Sequence, residues 1–281
     1  MWKLCVFTVM LPDMQPEEAA SAIKAAGYDG VEWRVKTIPE FVRTEASSFW
    51  GNNLCTFAPT TAAAERARDI AQANNLAIPG LGTYIDVGDI TAVEQAMAFA
   101  QICGAAQIRV AAGQWPDEGS YAESFARAKD FLTEAQNLAR QYGVKAVIEI
   151  HHGTIVPSAA LAHRLVSAFD PDYIGVIHDA GNMVHEGFEE YRLGLELLGP
   201  YLAHVHLKNA AWQRPPAGGV WQARWSPLED GVVNWQKLVS ALQAVDYKGW
   251  LGIEDFSQAR PSREALAFNY QFMQNQLVSL D

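Results

Sequence analysis

The chain of 281 residues is 49% hydrophobic and 19% charged, which is the composition of a protein with a packed core. Its net charge of -11 argues against a nucleic-acid or anionic-membrane partner, because such partners bind to clustered Lys and Arg. The cysteines Cys5, Cys55 and Cys103 are scattered and lack CxxC spacing, so we expect reduced core thiols in a cytoplasmic protein.

The first half of the chain alternates short apolar runs with helical segments. Residues 1–10 predict a strand rather than a secretory leader, because the run carries Lys3 and lacks a small-residue cleavage site. Residues 36–58 are irregular, and a connection of this length is usually functional or contains a short helix. The other elements predicted here are helix 16–26, strand 28–35, helix 60–74, a strand at 76–81 that Pro79 weakens, helix 91–103, strand 107–111 and helix 120–142.

The same alternation continues to the end of the chain. The predicted elements are the strand in Val147-Ile148-Glu149-Ile150, helix 157–169, strand 173–178, helix 187–199, strand 202–207, helix 233–245, strand 249–254 and helix 261–279. Eight strand–helix units without a linker predict a parallel sheet, and their number favours a closed barrel. The absence of GxGxxG after the first strand argues against a dinucleotide-binding sheet. We therefore predict an α/β chain folded as a single (β/α)8 TIM barrel, with one domain over residues 1–281 and no membrane span.

Four consecutive strands of the second half close on an acidic or imidazole side chain. These side chains are Glu149, Asp179, His206 and Glu254. Active groups of such barrels lie at the carboxyl ends of the strands, so all four can meet at one point. Three carboxylates and one imidazole suit a divalent cation such as Mn, Mg, Co or Zn. A structural zinc site is disfavoured, because no cysteine lies near them.

Strand alternation refines the histidines around these positions. If Glu149 points into the barrel, His151 does too, while His152 faces the helices or a loop. His204 shares the inward face of its strand with His206, one layer deeper, and is expected to orient that ligand. His178 is out of phase with Asp179 and is expected to be structural.

Two charged side chains end strands in the other half of the barrel. Glu32 and Arg109 contact substrate in one interpretation and form a buried ion pair below the site in the other, which we favour. The segment 209–231, with Pro215-Pro216, is a candidate lid. Several tryptophans of predicted loops fit a polyol substrate, since aromatic rings pack against sugar C–H faces, but rim tryptophans also serve packing or interfaces.

A set of short motifs resembles the xylose isomerase-like superfamily of TIM barrels, in its branch of sugar phosphate isomerases and epimerases. That branch includes ketose 3-epimerases, hydroxypyruvate isomerases and inosose dehydratases. The motifs are Glu149-x-His151, Asp179-x-Gly181-Asn182, His204-x-His206-x-Lys208, Trp250-x-Gly252-x-Glu254-Asp255-Phe256 and Tyr28-Asp29-Gly30-Val31-Glu32. The similarity spans almost the whole chain.

The resemblance implies a function. Glu149, Asp179, His206 and Glu254 would hold one divalent metal ion, and the two glutamates would be the proton-transfer pair on opposite faces of the substrate. The expected reaction is isomerisation or epimerisation of a small ketose or hydroxy-ketone, phosphorylated or not, through a cis-enediolate. The expected partner is therefore a sugar or polyol; barrels of this branch often associate, which leaves a homo-oligomer open.

The expected substrate contacts are His151, Asn182, Lys208 and Arg224. Two positions of the chain depart from the pattern of the ketose 3-epimerases. Asn182 stands where those enzymes carry a second His, and an amide cannot act as an acid at neutral pH. Trp212 stands where they carry an Arg, with Arg224 as one candidate to replace it.

Other functions remain open from the sequence. An inosose-type keto-polyol dehydratase would use the same enolate to expel a β-hydroxyl. A nuclease of the endonuclease IV type is less expected, because it uses further His on the third and fourth strands, which here end in Gly82-Thr83-Tyr84 and Arg109-Val110-Ala111. A non-catalytic sugar-binding barrel is the last alternative.

Overall fold

The computed structural model describes residues 2–115 and 119–278. Its strands are β1 Lys3–Phe7, β2 Gly30–Val35, β3 Thr56–Phe57, β4 Leu81–Thr83, β5 Gln107–Val110, β6 Lys145–Glu149, β7 Ile174–Asp179, β8 Leu202–Leu207, β9 Asn209–Gln213, β10 Gln222–Ser226 and β11 Trp250–Ile253. Eight of them form a closed parallel barrel in the order β1-β2-β4-β5-β6-β7-β8-β11. Closure is made by β1, which pairs in parallel with both β2 and β11. The predicted (β/α)8 barrel is confirmed, whereas the single-domain assignment over residues 1–281 stays a prediction.

Helices pack around the barrel and at its mouth. They are α1 Pro16–Ala26, α2 Thr61–Ala73, α3 Ile90–Cys103, α4 Tyr121–Tyr142, α5 Ala159–Val166, α6 Ala180–His185, α7 Tyr191–Leu198, α8 Trp235–Ala244 and α9 Ser262–Val278. Local chemistry fixes several ends. A reciprocal capping box between Ser120 and Glu123 begins α4, and Gly143, at φ 65°, ends it. None of the helices in the described ranges is long and apolar enough to cross a membrane.

The core lies between the barrel and its helices. In β6, Ala146 and Ile148 belong to the large apolar cluster that packs against the helices. Glu149, on the opposite face of the same strand, reaches the cavity at the barrel mouth. Alternation along each strand thus directs apolar residues outward and functional residues inward.

Some predicted boundaries shift in the structure. The strand predicted at 76–81 is misplaced, because β4 comprises Leu81–Thr83 and the earlier residues touch β2 only through a bridge between Gly30 and Ala77. Pro79 has no N–H to donate to a ladder, which explains the late start of the strand. The helix predicted at 187–199 is shorter, since α7 spans Tyr191–Leu198. The predicted first residue of the first strand and residue 279 of the last helix lie outside the described residues.

Two connections near the barrel mouth carry structure of their own. Residues 36–58 contain a short helical turn at Glu40–Thr44, followed by β3, which pairs in parallel with the end of β2. The predicted lid contains the antiparallel hairpin β9–β10, whose register pairs Ala210 with Trp225. The hairpin directly follows β8, so it stands over the strand end that carries His206.

Candidate active site

Four donor side chains converge at the carboxyl ends of β6, β7, β8 and β11. Glu149, Asp179, His206 and Glu254 each offer one ligand atom, and these atoms lie within 4.8 Å of one another. All four residues are buried. The four positions singled out in the sequence are therefore neighbours in space, because adjacent parallel strands present their last inward residues at the same edge.

The two nitrogens of His206 face different surroundings. Nδ1 lies 3.0 Å from Glu149 Oε1, 3.7 Å from Glu254 Oε1 and 3.8 Å from Asp179 Oδ2. Nε2 lies 3.1 Å from Glu32 Oε2. Nδ1 is thus the nitrogen that faces the donor cluster, while Nε2 faces a carboxylate outside it.

Glu32 does not pair with Arg109, so the ion pair favoured from the sequence is wrong. Glu32 Oε2 lies between the Nε2 atoms of His206 and His204, at 3.1 Å and 3.3 Å. Arg109 instead forms an ion pair with Glu149, with Nη1 at 2.5 Å from Oε2. Burial opposes the charge on Glu32, but the two imidazoles hold the pKa of this carboxyl well below its usual range.

The position of His204 fits its expected orienting role. Its ring meets that of His206 edge-on, with centroids 5.1 Å apart. Gly252, between these two residues and β1, is required for this packing, because a Cβ there would lie 2.8 Å from His204 Nε2. His178 is fully buried against Tyr191 on the helix side of β7, which agrees with its expected structural role.

Lys208 brings a positive charge into the donor cluster. Its Nζ lies 2.8 Å from Asp179 Oδ2 and 3.9 Å from Glu149 Oε1, and it donates a hydrogen bond to Glu254 Oε2. Burial opposes this charge, but the carboxylates of Asp179 and Glu254 raise the pKa of Lys208 above its usual value. The Lys208 side chain is therefore protonated, and its ammonium faces Glu254 and Glu149, the two candidates for proton transfer.

The turn after β7 shapes the floor of the site. Asp179 Oδ1 accepts from the backbone N–H of Asn182 at 2.8 Å and caps α6, which leaves Oδ2 for the cluster. Asn182 Nδ2 donates to Glu149 Oε1 at 3.2 Å. At Gly181 a Cβ would lie 2.5 Å from the backbone oxygen of Lys208, so only glycine allows the two strand ends to approach this closely.

A cavity of about 620 Å³ opens beside the donor cluster. Of the four expected substrate contacts, His151 and Lys208 are among its described lining residues, whereas Asn182 and Arg224 are not. Arg224 is exposed on the hairpin and donates to Gln222, and the next residue, Trp225, faces the cavity instead. Alternation along β10 separates the two side chains.

His152 also lines the cavity, contrary to the expectation that it faces away. Its ring stacks on His151 at 4.4 Å and on His185 at 4.1 Å between centroids, and Trp225 packs 4.4 Å from His185. Residue 152 follows the end of β6, so strand alternation no longer controls its direction. Burial lowers the pKa of His152 to about 3 and of His185 to about 4, with neighbouring positive groups adding to the effect. Both rings are therefore neutral near pH 7.

The family model for the xylose isomerase-like TIM barrel matches residues 20–275. The chain belongs to this family. The resemblance seen in the short motifs of the sequence is thereby confirmed.

Relatives of this xylose isomerase-like barrel are enzymes by name. Inosose dehydratase of Bacillus cereus (strain AH820) is 29% identical over 159 residues, which is 51% of this chain and 52% of the relative. The match thus spans about half the length of that relative. Among solved structures, the IOLI protein with a bound zinc atom superposes with a TM-score of 0.76 at 17% identity, over 99% of this chain and 98% of the other. The 3-keto-D-glucoside 4-epimerase of E. coli gives 0.73 at 16% identity, over 98% and 100%. At 17% and 16% identity, these two likenesses show only that the chain shares its fold with them.

The donor cluster of this xylose isomerase-like barrel suits a divalent cation. Burial raises the pKa of Asp179 to about 7; Lys208 opposes the rise, and the carboxylates of Glu149 and Glu254 add to it. Asp179 Oδ2 is also buried, and within the described residues it has no hydrogen bond of good geometry, although Lys208 Nζ lies 2.8 Å from it. A hard or borderline cation would offset this repulsion and take oxygen and imidazole ligands.

A second group of donors lies deeper in the barrel. Cys5, Glu32 and His204 offer atoms within 4.8 Å of one another. Burial, with the charge of Glu32, raises the pKa of the Cys5 thiol well above its usual value, so it stays protonated and is a poor ligand. Glu32 and His204 are better explained by their contacts with each other and with His206.

The sequence interpretation missed some of the cavity wall. Lys36, Tyr84 and His185 were not singled out, although Lys36 and Tyr84 line the cavity. Tyr84 directly follows β4, and the sequence already placed it at a strand end but gave it no role in the site.

Proposed function

We propose that this protein is a divalent metal-dependent isomerase or epimerase of a small ketose or hydroxy-ketone. The observation that carries the proposal is that Glu149 and Glu254 belong to one buried donor cluster and both border the same cavity. Two carboxylates that flank a substrate can remove a proton from one carbon and return it to the same or the adjacent carbon.

The metal would be held by Glu149, Asp179, His206 and Glu254. A bound divalent ion would supply stabilisation of the negative charge that develops when a proton is removed beside a carbonyl. The remaining chemistry belongs to side chains of the chain itself.

Glu149 is kept ionised, as a general base requires. Burial opposes its charge, but the positive charge of Arg109, with that of Lys208 adding to it, holds the pKa of Glu149 well below its usual value. Asn182 Nδ2 fixes Oε1 from a third direction. These contacts hold the carboxylate in one orientation toward the cavity, which proton transfer needs.

Glu254 is the partner for return of the proton on the other face. Lys208 donates to its Oε2 and orients it. His151 lines the cavity and, because burial lowers its pKa, presents a neutral ring that can donate to or accept from a substrate hydroxyl. Phe256 and Trp225 offer apolar surface for the C–H face of a sugar.

A dehydratase acting on a keto-polyol is the second candidate. It is favoured by the curated relatives, which are inosose dehydratases over the half of the chain that they match. The first step, proton removal beside a ketone, is the same in both reactions. The outcomes differ in whether the enediolate is reprotonated or expels a β-hydroxyl.

Incubation of metal-loaded protein in D₂O with a panel of ketoses and inososes tests both candidates. Deuterium in recovered or isomerised sugar supports the isomerase, and loss of water with a new enone or dione chromophore supports the dehydratase. Glu149→Gln and Glu254→Gln should each lower turnover by about 10² or more. Glu134→Gln, at an exposed position of α4, is the matched control and should leave turnover unchanged. Full turnover in either site variant would contradict the two-carboxylate mechanism.

A further inference from the structure

Three cationic side chains gather around one tyrosine of the cavity wall. The Cζ atoms of Arg34 and Arg109 lie 5.0 Å and 4.8 Å from the ring centroid of Tyr84, and Lys36 Nζ lies 5.1 Å from it. Lys36, Tyr84 and Arg109 all line the cavity. We call these four residues the Tyr84 cluster.

The positive charges of the cluster are unequally compensated. Arg109 has Glu149 as an ion-pair partner. Arg34 is 1% exposed, yet in the described ranges its guanidinium donates only to the neutral oxygens Thr56 Oγ1, at 2.5 Å, and the Trp50 carbonyl, at 3.3 Å. Within the described residues no carboxylate lies within ion-pair distance of Arg34. A buried guanidinium without an anionic partner is costly, because it has lost its hydration.

Lys36 adds a second charge without a close partner. In the described part of the chain it makes no ion pair, and Asp86 is the acidic side chain that influences it electrostatically. Lys36 is exposed overall, but partial desolvation of its ammonium, together with the charge of Arg34, lowers its pKa from the usual value. An anion in the cavity would relieve this repulsion.

Tyr84 supplies a hydrogen-bond donor at the same place. Its hydroxyl is buried and, among the residues that the structure describes, has no hydrogen-bond partner. Buried hydroxyls are normally satisfied, so an unpartnered one that borders a cavity suggests a ligand group. The local positive charge also stands against a net charge of -11 for the whole chain.

We propose that the Tyr84 cluster binds an anionic substituent, a carboxylate or a phosphate, on the keto-polyol that reacts at the donor cluster. Lys36 and Arg109 contact the anion, Tyr84 donates to it, and Arg34 adds charge from within the wall. The proposal rests on the proposed function, because it describes the substrate of the same cavity. Free inososes carry no charge, so it also distinguishes this chain's substrate from the one in the relatives' name.

Binding of three matched probes to the metal-loaded protein tests the proposal by calorimetry. D-Glucitol is neutral, D-gluconate carries a carboxylate at one end, and D-glucitol 6-phosphate carries a phosphate. We expect at least one anion to bind about tenfold more tightly than glucitol, as one or two charged hydrogen bonds imply. The stronger of the two anions identifies the substituent.

The variant Lys36→Gln locates the effect. It should remove most of the preference for the anion and leave glucitol binding unchanged, and because Lys36 is exposed the variant should fold. The effect of this variant distinguishes anion binding at the Tyr84 cluster from carboxylate binding at the metal ligands, because the substitution leaves the metal ligands intact. Lys3→Gln is the matched control, since Lys3 Nζ also lies over an aromatic ring, 5.3 Å from that of Trp250, but does not line the cavity.

Absent or equal binding of the anions relative to glucitol would overturn the proposal, and so would a preference that survives Lys36→Gln. Binding is measured without turnover, so the two proposals fail separately. An anion preference that depends on Lys36, without proton exchange in D₂O, would remove only the proposed reaction. Exchange with neutral ketoses and no anion preference would remove only the Tyr84 cluster.

Discussion

The carboxylate of Glu32 faces Nε2 of His206 at 3.1 Å, and both side chains are buried. Because Nδ1 of the same ring faces the donor cluster, the contact with Glu32 favours a proton on Nε2 and leaves the Nδ1 lone pair for a cation. A carboxylate behind a ligating histidine is a common means of fixing the ring and raising its basicity.

Replacing Glu32 by Gln should therefore weaken metal binding. Gln keeps an oxygen that accepts from His206 but loses the charge, and we expect the affinity of metal-depleted protein for Mn²⁺ or Zn²⁺ to fall about 10-fold to 100-fold. Calorimetric titration of the metal measures this without substrate. Cys5→Ala, in the same buried layer but outside the His206 contacts, should retain affinity; an equal loss in both variants would mean that general packing is responsible.

Trp225 and Arg224 are adjacent in the hairpin, but only Trp225 should affect KM for the substrate. Trp225 packs against His185 and lines the cavity, whereas Arg224 is exposed and bonded to Gln222. We expect Trp225→Ala to raise KM about tenfold through loss of buried aromatic surface, and Arg224→Ala to leave KM unchanged. Steady-state kinetics on both variants measures this, with thermal unfolding as the check on folding. A large KM effect of Arg224→Ala would restore its predicted substrate contact.

The free energy of unfolding should fall at alkaline pH partly because of Cys55. Burial raises the pKa of this thiol to about 12 in the folded chain, against an unfolded value near 9. Between these pH values the unfolded state has lost the proton that the folded state keeps, so stability is full below pH 9 and decreases as pH rises toward 12. At pH 10 this difference in ionisation lowers the free energy of unfolding by about 1.4 kcal/mol.

Urea unfolding of the wild type and Cys55→Ala at pH 8 and pH 10 measures this contribution. The substitution changes stability at both pH values by removing packing, so the quantity compared is the drop between them. The drop should be smaller in Cys55→Ala. Identical drops would show that the thiol is not shielded, and rapid reaction of native Cys55 with a thiol reagent at pH 8 would show the same.

Local patterns were sufficient for much of the fold. Gly27 and Gly143 end α1 and α4 in left-handed conformations, at φ 109° and 65°, as glycines after helices usually do. The strand predicted at 76–81 failed because propensity marks an apolar run, whereas a strand also needs N–H donors in register with its neighbour. Pro79 breaks that register, and β4 starts at Leu81.

Contacts between elements distant in the sequence were less predictable. His152 lies beyond the end of β6, where a turn rather than the pleat sets its direction, and it stacks on His185 from α6. The charged wall around Tyr84 combines Arg34, Lys36 and Arg109 from two different strands and their ends. No spacing in the sequence brings these residues together.

The sequence by itself determined the alternation of strands and helices, and with it the positions of Glu149, Asp179, His206 and Glu254 at four strand ends. These follow from periodicity and from the rule that parallel strands present their carboxyl ends at one edge. Only the tertiary structure decided which charges meet. Arg109 is in register with Val147 on the neighbouring strand, so its side chain reaches Glu149 two residues further along.

Glu32 can likewise contact His206 and His204. Gly252 lies between these two histidines and β1, and its missing side chain leaves room for the contact. Pairing of this kind depends on the stagger of strands around a closed barrel and on the room left by small residues. Both are properties of neighbouring strands together, so neither can be deduced from one strand's own pattern.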